Sequence, residues 1–551
     1  MAGFERMAAA SPSQDPFTLT VIQSSLAAAA EEMFVVLRQT AMSAIIYEVL
    51  DMGTGITDPA GQLAASGCGI PTFIAVIDKA VTRVLALHGA HSIRPGDVFI
   101  TNDPYYGGVT HLNDIVLLRP VFADGNLIAW TGNIAHWPDI GGMVPGSMGS
   151  DAIEIWQEGL RLPAVRLMAD DQPIASVFAI MQANTRLPEA LHGDLWAGIA
   201  ALRLGERRLL DLVARYGRAT FAAALADYMA QGEQASRAGL AALPQGRFSR
   251  SEAGDDGIAW TVRITIADGR FEVDLRDNPD AGATPFNLSR DGAVIAAQII
   301  FKAVTAPGAV CNGGALRPLS VLTRPGSLFE PLPPVPHGLY FETRMRLFDL
   351  LWHCLAEAMP GRLPAGHFAS ICSTVLSGRH PDTGRRYTLV EPQVGGWGAG
   401  PDDDGVSAGF SGVHGETFNC PAEIAEARYG VLVEQRVLND APGGEGAFRG
   451  GRGVVTDWRI RAAEAHLSIG YGRSVVPPWG LAGGADGSRN FVELHRGDGT
   501  RTRLAVATHQ PLAAGDVVRL VTGQGGGYGD PRRRSAAARA ADARDGLPTQ
   551  Q

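Results

Sequence analysis

The sequence predicts a mixed α+β protein with more than one domain. Three observations lead there. Helical periodicity alternates with strand-like runs up to about residue 245. A strand pattern with Gly- and Pro-rich connections then takes over. The chain has 551 residues, long for a single hydrophobic core. The expected plan is a disordered tail over 1–14, a mixed α/β lobe over 15–245 with a helical C-terminal part, a β-dominated lobe over 246–531, and a disordered tail over 532–551.

The elements follow in order. Residues 1–14 are small and polar. Asp15-Pro16 opens a helix over roughly Thr18 to Thr40, with Val21, Leu26, Met33, Val36 and Leu37 as its apolar stripe. Residues 71–88 read as a second helix, and Val98 to Ile100 as a short strand ending at Thr101-Asn102-Asp103-Pro104. The apolar runs 115–122 and 127–134 flank Asp124-Gly125, a strong two-residue hairpin signal. Their continuity predicts that both faces are covered. Residues 174–242 are helix-rich. From about 246 strands alternate around Asp-Gly turns, and Gly-rich stretches at 395–400, 442–453 and 523–531 read as turns in a β region.

Composition narrows the function. Hydrophobic residues make up 46% and charged residues 19%, and the net charge is -10. That balance offers no general attraction for nucleic acid or an anionic membrane. The five cysteines form no C-x-x-C pair, which fits a reducing compartment. The N-terminus lacks a signal-peptide pattern and no apolar run approaches 18 residues, so a cytoplasmic protein without a membrane span is expected. The only lysines, Lys79 and Lys302, lie outside any G-x-x-x-x-G-K-[ST] loop, and no G-x-S-x-G is present. Any nucleotide requirement would fall to another chain.

The informative segments are NDPYYGGVTHLND (102–114) and GNIAHWPDIGG (132–142). With Asp124 and Gly125 as the turn, the pairing carries Thr110–Asp114 opposite Ala135–Asp139. His111, Asp114 and His136 then gather at the open end of one hairpin. Two imidazoles and a carboxylate on a rigid scaffold suit a catalytic divalent metal. Asp139 and Asn113 are candidates for orienting the imidazoles. Gly107-Gly108 and Gly141-Gly142 allow close backbone approach. Against this, a lone H-x-x-D is commonly a satisfied polar pair, and His337 and His414 find no partner from spacing.

At these residues the sequence resembles the hydantoinase B/oxoprolinase family, from about Asp15 to Pro531. Twelve motifs match in order, among them VLDMGTGITDPAGQL (49–63), PGDVFITNDPYYGG (95–108), AHWPDIGG (135–142), EIWQEGLRLP (154–163), NGGALRP (312–318) and GGGYGDP (525–531). The resemblance implies four metal ligands, Asp51, His111, Asp114 and His136, holding zinc or manganese, or else iron. It implies an ATP-dependent opening of a small cyclic amide such as a hydantoin, 5-oxoproline or another lactam. ATP would be bound by a hydantoinase A-type partner in a hetero-oligomer. Asp139, Glu154 and Glu158 are candidates for proton transfer, each with a structural hydrogen bond as its alternative. Other readings are the large subunit of an acetone- or acetophenone-type carboxylase and a non-catalytic scaffold for the ATPase. The chain departs from the family pattern at Val109, at Phe73, and over Ile46 to Asp51, which lacks the usual basic residues. These changes fall near the site and leave the substrate open.

Overall fold

The computed structural model describes residues 15–106, 110–359, 361–415 and 417–547. The expected N-terminal tail, Gly107, Gly108, Val109 and residues 548–551 lie outside them.

Asp15 starts the first helix, α1 (Pro16–Thr40). Its carboxylate accepts from the Phe17 and Thr18 amides, and Pro16 takes the first turn. The short helix α2 (Ala44–Tyr47) leads into β1 (Met52–Thr57) and β2 (Leu63–Gly69). Next come α3 (Pro71–His88), β3 (Val98–Thr101), the hairpin β4 (Asp114–Ala123) and β5 (Asn126–His136), β6 (Val165–Ala169) and β7 (Gln172–Pro173). These strands form one sheet in the order β2-β1-β5-β4-β3-β6-β7. The helices α4 (Ala175–Ala183), α5 (Pro188–Tyr216) and α6 (Arg218–Ala241) follow.

Helices cover both faces of the hairpin, which explains its continuous apolar runs. On one side Gly132 of β5 lies against Ile77 of α3; on the other Leu117 of β4 meets Gly198 of α5. Asn133, buried in this layer, donates to the Gly198 carbonyl at 2.8 Å. By length and composition α1 could cross a membrane, yet it buries Ile22, Leu26, Met33 and Leu37 and packs on α5 and β2. Its inner face is centred one residue on from the expected Val21, which is only partly covered.

The hairpin register differs from the simple expectation. Asp124 and Gly125 both take positive φ and make the tight turn. Ala123 faces Asn126 and Phe122 faces Leu127, but Val121 then pairs with Ala129, so Ile128 forms a bulge. Every later pair slips by one residue, and Asp114 faces His136 instead of Ala135. Directly opposed residues share a face of an antiparallel pair, so the bulge brings both side chains to the same side.

The second half opens with β8 (Gly246–Ala253), β9 (Ala259–Ala267), β10 (Arg270–Asp274), α7 (Arg290–Thr305) and β11 (Leu319–Leu322), the strands ordered β11-β10-β9-β8. Helix α8 (Tyr340–Ala356) runs beside this sheet. The remaining elements are β12 (Ser373–Arg379), β13 (Arg386–Glu391), α9 (Ala422–Arg428), β14 (Val431–Leu438), β15 (Val454–Ile460), β16 (Ala465–Gly470), β17 (Phe491–His495), β18 (Arg501–Leu504), β19 (Val506–Leu512), β20 (Val517–Val521) and α10 (Ala536–Arg544). They build two sheets, β13-β12-β16-β19 and β14-β15-β20-β17-β18. The architecture is mixed helix and sheet, as the sequence predicts.

The core does not divide at residue 245. One apolar cluster joins Leu117 and Leu202 to Phe271, Phe301 and Met345, because α7 and α8 pack the second sheet onto the first half. A separate cluster of Phe368, Leu376, Trp458, Leu467 and Val518 serves the last two sheets. The described residues after Asp530, up to Leu547, also form no loose tail. Arg534 pairs with Asp404 and Asp542, and Arg449 with Asp542, tying α10 down.

Candidate metal centre

Four structural pieces meet at the open end of the hairpin. Asp114 opens β4 and His136 closes β5. His111 comes from the turn just before β4, with the Asp114 amide bonded to the His111 carbonyl. Asp51 precedes β1, and its carbonyl accepts the His136 amide at 3.0 Å. The start of α8 closes the other side with Tyr340, Phe341 and Arg344.

Three donor atoms converge on one point. Asp114 Oδ1 lies 3.1 Å from His136 Nδ1 and 3.2 Å from His111 Nε2, and the two nitrogens are 3.3 Å apart. A metal at tetrahedral ligand distances sets its ligands roughly 3.3 Å apart. All three residues are buried. Asp51 lines the same cavity of about 40 Å³. Its Oδ1 is buried without a hydrogen-bond partner. Buried polar atoms ordinarily have partners, so the donor set fits a divalent ion. The structure thus brings His111, Asp114 and His136 together and places Asp51 on the same cavity wall.

The surrounding groups prepare the donors. The Gly338 carbonyl lies 3.0 Å from His111 Nδ1 and can only accept, so Nδ1 carries the proton and Nε2 presents its lone pair to the cluster. Asp114 Oδ2 accepts from Thr110 Oγ1 and, at 3.3 Å, from the Tyr340 hydroxyl. Electrostatics point the same way. Burial opposes charge on Asp114, but His111 and His136 hold its carboxyl far below the usual range. Burial pulls the His111 imidazolium down, yet Asp114 outweighs it and the net direction is up. Burial alone dominates His136, whose basicity falls. Burial and the neighbouring Asp114 push Asp51 well up. The cluster attracts positive charge, which a metal ion can supply.

The expected orienting and proton-transfer residues are placed differently. Asp139 touches neither imidazole. Its oxygens accept from the Gly141, Gly146 and Arg186 amides and from the Arg186 guanidinium at 2.9 to 3.1 Å. Asn113 donates to the Trp137 and Gly146 carbonyls and organises the loop. Glu154 caps the short 3₁₀ turn Ile155–Gln157. Glu158 is buried and accepts the His337 and Gly338 amides. Burial pushes its carboxyl up to about 7 against those hydrogen bonds. It anchors the loop whose carbonyl orients His111, acting one step behind the cluster.

Sequence reasoning missed the α8 side of the site. Tyr340 and Arg344 are four residues apart, hence on one helix face, but nothing in their spacing to His111 announces it. His414 also lines the cavity; burial lowers its pKa to about 3, so its imidazole is neutral.

Comparison with known proteins finds relatives over nearly the whole chain. The profile of the family described as Hydantoinase B/oxoprolinase matches residues 15–531. A putative D-/L-hydantoinase B-type subunit from Pseudomonas sp. (strain NS671) is 28% identical, over 98% of this chain and 94% of that protein. The caprolactamase subunit beta of Pseudomonas jessenii is 30% identical, over 97% of this chain and 94% of its own length. The crystal structure of the ATP-dependent caprolactamase from Pseudomonas jessenii superposes with a TM-score of 0.90 at 28% identity, covering 98% of this chain and 95% of that one.

Proposed function

The chain belongs to the hydantoinase B/oxoprolinase family, and on that premise we propose that it is the metal-bearing subunit of an ATP-dependent enzyme that opens a small cyclic amide. The observation that carries the reading is the convergence of His111, Asp114 and His136 beside the unpartnered oxygen of Asp51. The names of the hydantoinase and caprolactamase relatives, each one subunit of a larger enzyme, support a partner chain. In the proposed division of labour the partner, a hydantoinase A-type ATP-binding subunit, phosphorylates the amide oxygen of the substrate. An unactivated lactam lacks a good leaving group, and phosphorylation provides one. Water then adds at the activated carbon, and the ring-opened amino acid and phosphate leave.

Asp51, His111, Asp114 and His136 would hold zinc, manganese or iron, which supplies Lewis acidity and lowers the pKa of water. The residues of this chain prepare that position. Gly338 fixes the His111 tautomer, Thr110 and Tyr340 hold Asp114, and Glu158 anchors the Gly338 loop. Glu158 is therefore proposed as a positioning residue, and Asp139 and Glu154 as structural ones.

The test is to express the chain with its A-type partner and supply ATP with caprolactam, hydantoins or 5-oxoproline, with and without bicarbonate. ADP and a ring-opened amino acid formed from a lactam without bicarbonate are expected. Turnover of ketones alone, dependent on bicarbonate, would replace the reading with a carboxylase. Full activity in a metal-stripped complex would make the chain a scaffold.

A further inference from the structure

Arg344 is among the largest fully buried side chains in the molecule, at 2% exposure. A buried guanidinium normally has a carboxylate partner, because an unpaired buried charge is expensive. Here the hydrogen bond formed by the group is to the Tyr340 hydroxyl, at 3.3 Å, and the guanidinium sits over the Tyr340 ring. Its Nε has no partner. Among the described residues no carboxylate is paired with Arg344. The side chain instead lines the cavity that holds Asp51, His111, Asp114 and His136.

Charge matching identifies what would satisfy it. Two carboxylates, Asp51 and Asp114, balance a divalent ion, and the histidines bind as neutral ligands. Among the described residues, the positive charge of Arg344 is then left without a counter-ion. His414 adds a neutral wall to the same cavity, with its Nδ1 2.7 Å from Thr417 Oγ1. A guanidinium offers a planar fork of donors that suits phosphoryl oxygens.

We propose that Arg344, with His414 beside it, forms an oxyanion subsite in the metal cavity that takes the phosphoryl group of the activated substrate. This rests on the reading of the chain as the recipient of a phosphorylated intermediate, and it assigns that intermediate a place. The subsite would hold the phosphoryl group next to the metal ligands and keep it there as phosphate is released.

The test uses the full chain loaded with zinc or manganese. Inorganic phosphate and acetate are titrated calorimetrically into wild type, Arg344→Gln and Arg344→Lys, with metal content and thermal unfolding measured on each. Wild type is expected to bind phosphate more tightly than acetate. Arg344→Gln should keep its metal and bind phosphate at least about ten-fold more weakly. Arg344→Lys keeps the charge but loses the fork, and should weaken phosphate binding several-fold; it decides the matter if Arg344→Gln does not fold. Phosphate affinity unchanged in a metal-retaining variant overturns this inference alone. Acetate binding that is as tight and as dependent on Arg344 also overturns it, in favour of a carboxylate subsite. A wild-type chain that holds no metal overturns it together with the reading it rests on.

Discussion

Gly338 contributes no side chain to the candidate centre, yet its carbonyl decides which nitrogen of His111 faces the cluster. Such outer contacts are worth roughly 10- to 100-fold in metal affinity. Thr110 plays the same part for Asp114. Thr110→Val should lower metal affinity within that range while saturating metal still gives full occupancy. Chelator competition measures this, and an unchanged affinity would remove Thr110 from the site. At this scale the sequence was partly legible. His111, Asp114 and His136 could be grouped from hairpin geometry because both strands are local. Asp51 came only through family resemblance, since it arrives from another strand. Tyr340, Arg344 and His414 were invisible because more than two hundred residues separate them from His111. Asp139 and Asn113 looked like orienting groups from proximity in sequence, but their hydrogen-bonding capacity goes to the loop backbone.

At the scale of elements, the bulge at Ile128 shows how little separates a site from its absence. Without it Asp114 would face Ala135, and His136 would point to the other side of the sheet. Asp124-Gly125 located the turn, but two apolar strands carry no mark of where one of them gains a residue. The Gly-rich stretches gave a different lesson. They read as turns, whereas they lie against one another as closely packed backbone. The Gly451 amide bonds to the Trp397 carbonyl at 2.8 Å and the Gly525 amide to the Gly451 carbonyl at 3.1 Å. A side chain at Gly525 would fall well inside contact distance of the Trp397 carbonyl. Gly525→Ala should therefore destabilise the chain by about 3 kcal/mol, toward the upper end of overpacking effects. Thermal unfolding checks this, and a variant as stable as wild type would contradict the close packing.

At the scale of the whole molecule, α8 links the parts. One face of it supplies Tyr340 and Arg344 to the candidate metal cavity. From its other side Glu342 accepts Ser370 Oγ and the Ile371 amide at 2.9 Å, and the Gly472 amide at 2.9 Å, so it holds the C-terminal sheets. Burial pushes the Glu342 carboxyl from its ordinary 4.5 up to about 7, against those hydrogen bonds. A raised carboxyl stabilises the fold below pH 4.5, and this contribution is lost as pH rises to 7. The whole effect is roughly 3 kcal/mol. Glu342→Gln should flatten the pH dependence of stability between those limits, read from denaturant unfolding at each pH. An unaltered slope would show that Glu342 does not titrate there. The mixed fold class was legible because periodicity and turn residues are local signals. The extent of each core was not, because Phe271 and Phe301 bury against residues far earlier in the chain.

X-ray absorption at the metal edge of the purified, metal-loaded chain tests the central claim most directly. The account predicts one ion per chain with only nitrogen and oxygen neighbours at about 2.0–2.2 Å, two of them imidazoles. A spectrum with sulfur neighbours or without imidazole scattering would contradict it.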